Sequence, residues 1–295
     1  MGLIAAGNKI VWAVDFNEDA VNTYNSNVGN HAVCEDITKV NFETVPDADV
    51  IVGGFPCQGF SVANLRRAAD DERNTLYLEF IRAVKTKKPK YFIAENVKGI
   101  LSLDGGNAIQ TIIRDFSDIG YMVNMKLFNM ADYGIPQTRQ RVIIVGQRKD
   151  LNDSFQFQFP IATHNKTGPL KKWVSIKDAI DHFPDPDLPN DVANHVYSSY
   201  GVKFRNFTAH RPTDPDYPSP TILARGNGKG GVCAIPHYNG KRRLTVRESA
   251  AIQTFPDDFE FKGSMTSCYR QVGNAVPPLF GKLLGEELIR LEAEQ

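Results

Sequence analysis

Asp49-Val-Ile-Val-Gly-Gly-Phe-Pro-Cys-Gln-Gly-Phe-Ser61 joins a short β-branched run (Val50, Ile51, Val52) to two glycines and a proline–cysteine pair. Such a run reads as a buried parallel strand, and the carboxyl ends of parallel strands are where open α/β sheets bind ligands. Pro56 restricts its own backbone and that of Phe55, so the chain presents the Cys57 thiol rigidly. A cysteine beside a strand is by itself ordinarily a small buried hydrophobe. Its wider company gives Cys57 another meaning.

That company is Lys90-Tyr-Phe-Ile-Ala-Glu-Asn-Val-Lys98, a second apolar strand with the carboxylate Glu95 at its tip. Between the two, Leu76, Phe80, Ile81 and Val84 recur at helical spacing, so the unit reads strand–helix–strand. A right-handed crossover sets Cys57 and Glu95 at one edge of neighbouring parallel strands. A thiol and an acid together, with no histidine close in sequence, do not suggest a cysteine protease. They suit a thiolate adding to a heteroaromatic ring while the acid protonates a ring nitrogen.

The apolar–helical alternation continues through residues 10–14, 50–52, 91–94 and 142–145, predicting a doubly wound α/β domain over residues 1–150. From residue 151 the texture changes: Pro184, Pro186, Pro189, Pro212, Pro215, Pro218 and Pro220 and the glycines at 226, 228, 230 and 231 predict short elements and long loops to about residue 243. Helical periodicity resumes over residues 244–295, where Pro277-Pro278 can open a last helix. No apolar run is long enough for a membrane span and no signal peptide opens the chain. Cys34, Cys57, Cys233 and Cys268 form no C-x-x-C pair, so neither a metal site nor a disulfide framework is expected, and a cytoplasmic location suits a free thiol. The formal net charge is zero, yet residues 201–247 carry nine Lys/Arg against two Asp. Such a segment suits phosphate neutralisation, although a short basic run is more often a solvated loop.

Six blocks occur in one order: Glu35-Asp36-Ile37-Thr38, Pro56-Cys57-Gln58, Glu95-Asn96-Val97, Gln137-Thr-Arg139-Gln-Arg141, Arg243-Leu-Thr-Val-Arg247-Glu248-Ser249 and Arg270-Gln-Val-Gly273-Asn274-Ala-Val276-Pro277. In this order the chain resembles the 5-cytosine DNA methyltransferases. The resemblance implies an S-adenosylmethionine-dependent methyltransferase domain, with residues 244–295 returning to it. Residues 151–243 resemble a smaller target-recognition domain, and Pro220-Thr221-Ile222 resembles the turn near its end. Cys57 then adds to carbon 6 of cytosine, making carbon 5 nucleophilic. Glu95 protonates ring nitrogen 3 and accepts from the exocyclic amine. Arg141 resembles the arginine that holds the ring oxygen and orients the acid, and Arg139 assists or reaches the backbone. Surface salt bridges are the plainer reading of both arginines.

The same resemblance implies double-stranded DNA as partner, with the target base flipped out of the helix. Residues 58–74, containing Arg66, Arg67 and Arg73, suit a loop closing over that DNA, and Lys241, Arg242 and Arg243 suit contacts to its phosphates. The implied methyl donor is S-adenosyl-L-methionine, with no metal. Asp15 ends a strand where an acid binds ribose hydroxyls, unless it caps the helix over residues 18–24. Phe16 stacks on adenine or is ordinary core. Asp36 and Ile37 resemble the block reading the adenine edge, and Pro56 and Asn274 complete the cofactor group. A companion restriction endonuclease, acting separately, fits this class. A transfer-RNA cytosine methyltransferase is the nearest alternative, but its Cys-Phe-Thr motif is absent. A non-catalytic DNA-binding relative is the other, against which both Pro56-Cys57 and Glu95-Asn96-Val97 stand. In the family a strand and a loop of the form Asp-Leu-Phe-x-Gly-x-Gly-Gly precede the matched segment, whereas here Met1-Gly2-Leu3-Ile4-Ala5-Ala6-Gly7 aligns with the helix after that loop. The expectation is a shortened amino terminus, exposed sheet edges and weakened binding of the methyl donor.

Overall fold

The computed structural model describes residues 1–56, 72–198, 213–224 and 235–294. Strand β3 (Val50–Gly54), helix α3 (Glu72–Lys87) and strand β4 (Tyr91–Val97) form the expected crossover. β3 and β4 pair in parallel with Gly54 opposite Glu95, so the end of the first strand lies beside the acid of the second. β4 is buried along most of its length because it has strands on both sides and layers on both faces.

On its other edge β4 meets β7 (Gln140–Arg148) antiparallel, and β7 in turn pairs antiparallel with β5 (Tyr121–Asn129), giving the order β3-β4-β7-β5. The sheet is thus mixed: the parallel winding holds for β3 and β4 and reverses beyond them. Gly146 lies opposite Phe92 in this register, and a Cβ there would collide with the aromatic ring. Alternation along the strands sends Phe92, Ala94, Val142 and Ile144 to one face, against Val84 of α3 and Ile109, Ile112 and Phe116 of α4 (Asn107–Asp118). Tyr91, Ile93, Ile143 and Val145 point the other way, onto Phe280, Leu284, Leu288 and Leu291 of the last helix, Pro278–Ala293. Pro278 occupies its first turn, as the sequence suggested.

Ahead of this sheet, α1 (Gly2–Ala5) packs on that last helix, where a Cβ at Gly2 would strike the Pro278 carbonyl. β1 (Ala13–Asp15), α2 (Glu18–Asn27) and β2 (Ala32–Cys34) follow, with β1 and β2 parallel. This pair is separate from the four-stranded sheet: among the described residues β3 pairs with β4 alone, and Val52 is 50% exposed. Among the described residues the two sheets meet at a small cluster, in which Trp12, Val14 and Ile51 gather around Val40, Phe42 and Ala83.

A second core gathers Ile176 and Ile180 of α5 (Ile176–Ile180), Ile222, Ile235, Val246 and Ile252 of α6 (Val246–Ile252), Phe259, Phe261 and Cys268 and Val272 of α7 (Met265–Asn274). Residues 244–275 therefore begin in this second core, and the chain rejoins the first only from Val276 onward. Conversely Leu151, Phe155, Phe157 and Phe159 still pack on the first core. The two lobes meet along a short parallel seam between β6 (Gln137–Thr138) and the strand Ser219–Pro220. Among the described residues no helix is long and apolar enough to cross a membrane.

Candidate active site

The site is built at the carboxyl ends of β3 and β4. Glu95 lies opposite Ile143 across the antiparallel ladder, and Arg141 sits two residues before Ile143, so the two side chains are diagonal neighbours on one face. Arg141 Nε lies 2.5 Å from Glu95 Oε1, with both side chains largely buried. The contact is a charge pair rather than an aligned hydrogen bond: neither of these atoms has a hydrogen-bond partner among the described residues. Arg141 Nη1 donates to its neighbour's carbonyl, Gln140 O, at 2.8 Å. Asn96 points to the opposite face and donates from Nδ2 to Phe55 O at 2.9 Å, fixing the backbone just before Pro56.

Two adjoining cavities open here and share Glu95 and Asn274. One, of about 280 Å³, is walled by Glu95, Val97, Arg139, Arg141, Leu223 and Gly273 among others. The other, of about 350 Å³, is mainly apolar and runs past Tyr24, Val28, Gly53, Gly54 and Val276 toward Met1. Asn274, exposed at the end of α7, stands between them.

Arg139 lines the same cavity as Glu95 and Arg141, and the backbone it reaches is that of the protein. It is buried and its guanidinium is committed to protein carbonyls, Nη1 to Ile222 O at 3.0 Å and Nη2 to Gly273 O at 3.1 Å. Burial, then the neighbouring Arg141 charge, pull its pKa down to about 10, against the opposing pull of Glu95. It is therefore a charged tie inside the protein and does not extend outward to a DNA backbone.

Two of the expected phosphate ligands are corrected by their burial. Arg242 is buried and holds Glu248 with two bonds of 2.7 Å, while Arg243 is 2% exposed. Arg247, from the same basic segment, is fully buried and donates to the carbonyls of Ala193, Pro256 and Phe259. Desolvation is offset for such guanidinium groups by the carbonyls and carboxylate they satisfy, so they stitch loops together. Lys241 remains exposed. Cys57, Arg66, Arg67, Lys203, Arg205, Arg211, Arg225 and Lys229 lie outside the described residues, and nothing is described of the Arg73 side chain.

Four of the six expected cofactor residues, Asp15, Phe16, Asp36 and Ile37, lie at the ends of β1 and β2, where Glu35 N donates to Asp15 O at 3.1 Å; Pro56 follows β3 and Asn274 ends α7. Asp15 does not cap α2: Asn17 does so, accepting from Ala20 N at 3.0 Å, and Asp15 Oδ1 instead accepts the Asn17 N–H at 2.8 Å. The carboxylate thus stays exposed at the strand end, and Phe16 is 80% exposed, which removes the core reading of that ring. Asp36 accepts from Thr38 N at 3.0 Å and Thr38 Oγ1 at 2.8 Å, and these bonds, the backbone one first, hold its pKa below the usual range. Ile37 packs partly against the small Val40–Phe42 cluster, and Pro56 is exposed. Of this group only Asn274 lines the larger cavity. Among the described residues no cluster of three or more His, Cys, Asp or Glu side chains is placed to hold a metal.

Gln137 and Gln253 were missed as individuals, although Gln137 lies within one of the motif blocks. Both are fully buried, and Gln137 Nε2 donates to Gln253 Oε1 at 2.7 Å. The readable signal was a polar residue two positions before Arg139 on an extended segment, which places both on one face.

The family profile described as "C-5 cytosine-specific DNA methylase" matches residues 1–290. The chain is 40% identical to the type II methyltransferase M.NgoFVII of Neisseria gonorrhoeae, over 94% of this chain and 80% of that protein. It is 37% identical to M.BsuRI of Bacillus subtilis, over 94% of this chain and 67% of the relative. Among solved structures, Schizosaccharomyces pombe Dnmt2 methyltransferase superposes with a TM-score of 0.70 at 22% identity, covering 99% of this chain and 94% of that one, a likeness of fold.

Proposed function

The chain belongs to the C-5 cytosine-specific DNA methylase family and is a DNA cytosine-5-methyltransferase, and we propose that it methylates a cytosine flipped out of a specific duplex site into the Glu95–Arg141 cavity. The observation that carries this reading is the Glu95–Arg141 pair, held at 2.5 Å from Nε to Oε1 in the wall of a cavity that both residues line. A heteroaromatic base offers the complementary set: a carbonyl oxygen for Arg141, an exocyclic amine and a ring nitrogen for Glu95. Thymine, which presents a carbonyl where cytosine has the amine, would set oxygen against the carboxylate.

In this reaction the Cys57 thiolate adds to carbon 6 as Glu95 delivers the proton taken up by nitrogen 3. Carbon 5 becomes an enamine carbon able to take the methyl group. Glu95 takes back the nitrogen 3 proton as carbon 5 is methylated, and transfer of the carbon 5 proton to a water-borne base with expulsion of the thiolate restores the ring. Arg141 holds the ring oxygen and keeps Glu95 in place through the whole sequence.

S-adenosyl-L-methionine, when bound, supplies the electrophilic methyl group. The residues present suit it: an exposed carboxylate (Asp15) for ribose hydroxyls, an exposed ring (Phe16) for the adenine face, and a mainly apolar cavity leading to Glu95. Asp36, Ile37, Pro56 and Asn274 belong to the same group in this proposal. The lobe built on the second core, with α6 and α7, reads the DNA, and Arg66, Arg67 and Lys241 meet phosphates. The names of the type II relatives favour a partner restriction endonuclease acting separately on the same site.

The test is methyl transfer from labelled S-adenosylmethionine to duplex DNA and to transfer RNA, followed by bisulfite sequencing. Label confined to 5-methylcytosine at one DNA sequence is expected. Label in transfer RNA alone, or in adenine, would overturn the reading.

A further inference from the structure

We propose that Gln137 and Arg139 are positioning residues that hold one segment of the recognition lobe, Ile222 to Ala224, at the rim of the Glu95–Arg141 cavity. The inference rests on the reading of that cavity as the cytosine site. Gln137 and Arg139 grip both backbone polar groups of one residue: Gln137 Oε1 accepts the Ile222 N–H at 2.8 Å, and Arg139 Nη1 donates to Ile222 O at 3.0 Å. Each then reaches a second element. Gln137 Nε2 donates to Gln253 Oε1, whose own Nε2 donates to Val272 O at 2.6 Å and Ala275 O at 3.2 Å, while Arg139 Nη2 donates to Gly273 O.

Thr138, between the two, reinforces the joint. Its Oγ1 donates to Ser219 O at 3.2 Å, and its carbonyl accepts Thr221 Oγ1 at 3.1 Å. The segment is pressed so closely on α7 that a Cβ at Gly273 would collide with the backbone of Leu223 and Ala224. Leu223, Ala224, Gly273 and Asn274 are themselves cavity wall. One buried joint therefore sets the distance between this segment of the recognition lobe and the Glu95–Arg141 pair. A loose joint leaves the chemistry intact but lets the cavity accept a base while the lobe is out of register on the DNA. Buried polar groups bonded to several elements favour one arrangement, whereas apolar packing alone tolerates several; of this joint, Arg139 Nε has no partner among the described residues.

The experiment compares the intact protein with its Gln137→Met variant on a library of randomised duplexes, reading methylated sites by bisulfite sequencing. Methionine keeps the length and removes both bonds. The ratio of methylation at the preferred site to sites with one altered base is expected to fall at least about tenfold, the scale of one base-pair contact. Calorimetric S-adenosylmethionine affinity is expected to stay within about twofold, since Gln137 lies outside that cavity. A merely structural role lowers the folded fraction, which cancels in this ratio. A second variant, Gln137→Glu, serves if the first does not fold. Its neutral acid can still donate to Gln253 and accept from Ile222, whereas its carboxylate turns oxygen toward Gln253 Oε1, so selectivity should improve as pH is lowered from about 8 to about 6. Unchanged selectivity in folded Gln137→Met, or wild-type selectivity at every pH in Gln137→Glu, would overturn the proposal. Wild-type protein that methylates no duplex cytosine would remove the cytosine reading of the cavity, before any variant is made.

Discussion

At the scale of single residues, the chemistry depends on where charge can find a partner. Glu95 and Arg141 meet because antiparallel pairing makes residues 95 and 141 diagonal neighbours. Replacing Glu95 by Gln keeps the shape and removes the proton, so kcat should fall by about 10²–10⁴ in steady-state transfer assays, the usual contribution of a positioned acid. Calorimetric affinity for S-adenosylmethionine should hardly change; an equal loss there would assign Glu95 to the cofactor. Lys241 and Arg242 are adjacent but are expected to behave oppositely. Lys241→Ala should weaken binding to all duplexes and reduce the salt slope by about 0.9, one phosphate's worth. Arg242→Ala strands the buried Glu248 carboxylate and should cost about 3–5 kcal/mol in denaturant unfolding, with the salt slope unchanged. Composition gave the charge of this segment but not its partners. Arg242, Arg243 and Arg247 look like phosphate ligands until the fold encloses them.

At the scale of elements, the strands and helices nearest the site were largely legible, because β-branched runs ending in Gly or acidic residues have few alternative readings. β3, α3, β4 and β7 all stand where periodicity placed them, each longer by a few residues than its apolar run. What periodicity could not supply was direction: an apolar run such as Val142 to Val145 looks the same in parallel and antiparallel pairing, and β7 is antiparallel. The start of α6 was written in the sequence as Thr245-Val-Arg-Glu248, a reciprocal cap in which Thr245 Oγ1 accepts Glu248 N at 3.0 Å and Glu248 Oε2 accepts Thr245 N at 2.8 Å. Thr245→Ala should cost about 1–2 kcal/mol in chemical denaturation, because Thr245 also meets buried His195. A loss below a few tenths would mean that packing alone holds the helix.

At the scale of the whole molecule, two cores meet at the β6 seam and again where Thr23 and Asn27 of α2 bond residues 260 and 262, and the Glu95–Arg141 pair lies near the first. The boundary at residue 243 marked a change of composition, whereas the second core runs on through α6 and α7, whose helical periodicity alone cannot say which lobe they join. This second core has a pH liability at His237, whose pKa burial pushes below the ordinary histidine value, with Arg242 nearby acting in the same direction and Glu248 opposing it. Its Nδ1 accepts the Asn239 N–H at 3.0 Å, which suits a neutral ring. The unfolded chain takes up this proton more readily, so stability should decline as pH falls below about 6.5 and be constant above it for this group. His237→Gln should flatten that slope in denaturant titrations between about pH 7 and pH 5, and an unchanged slope would place the titration elsewhere.

The covalent route through Cys57 is the centre of this account, and it can be trapped. A fluorine at carbon 5 cannot leave as the proton does, so a duplex carrying 5-fluorocytosine in place of cytosine should stall the enzyme after methyl transfer. Mass spectrometry of the digested complex should find the nucleotide attached at Cys57, dependent on S-adenosylmethionine and absent from Cys57→Ala. A protein that methylates ordinary duplexes yet forms no adduct, or forms it at another residue, would contradict the mechanism.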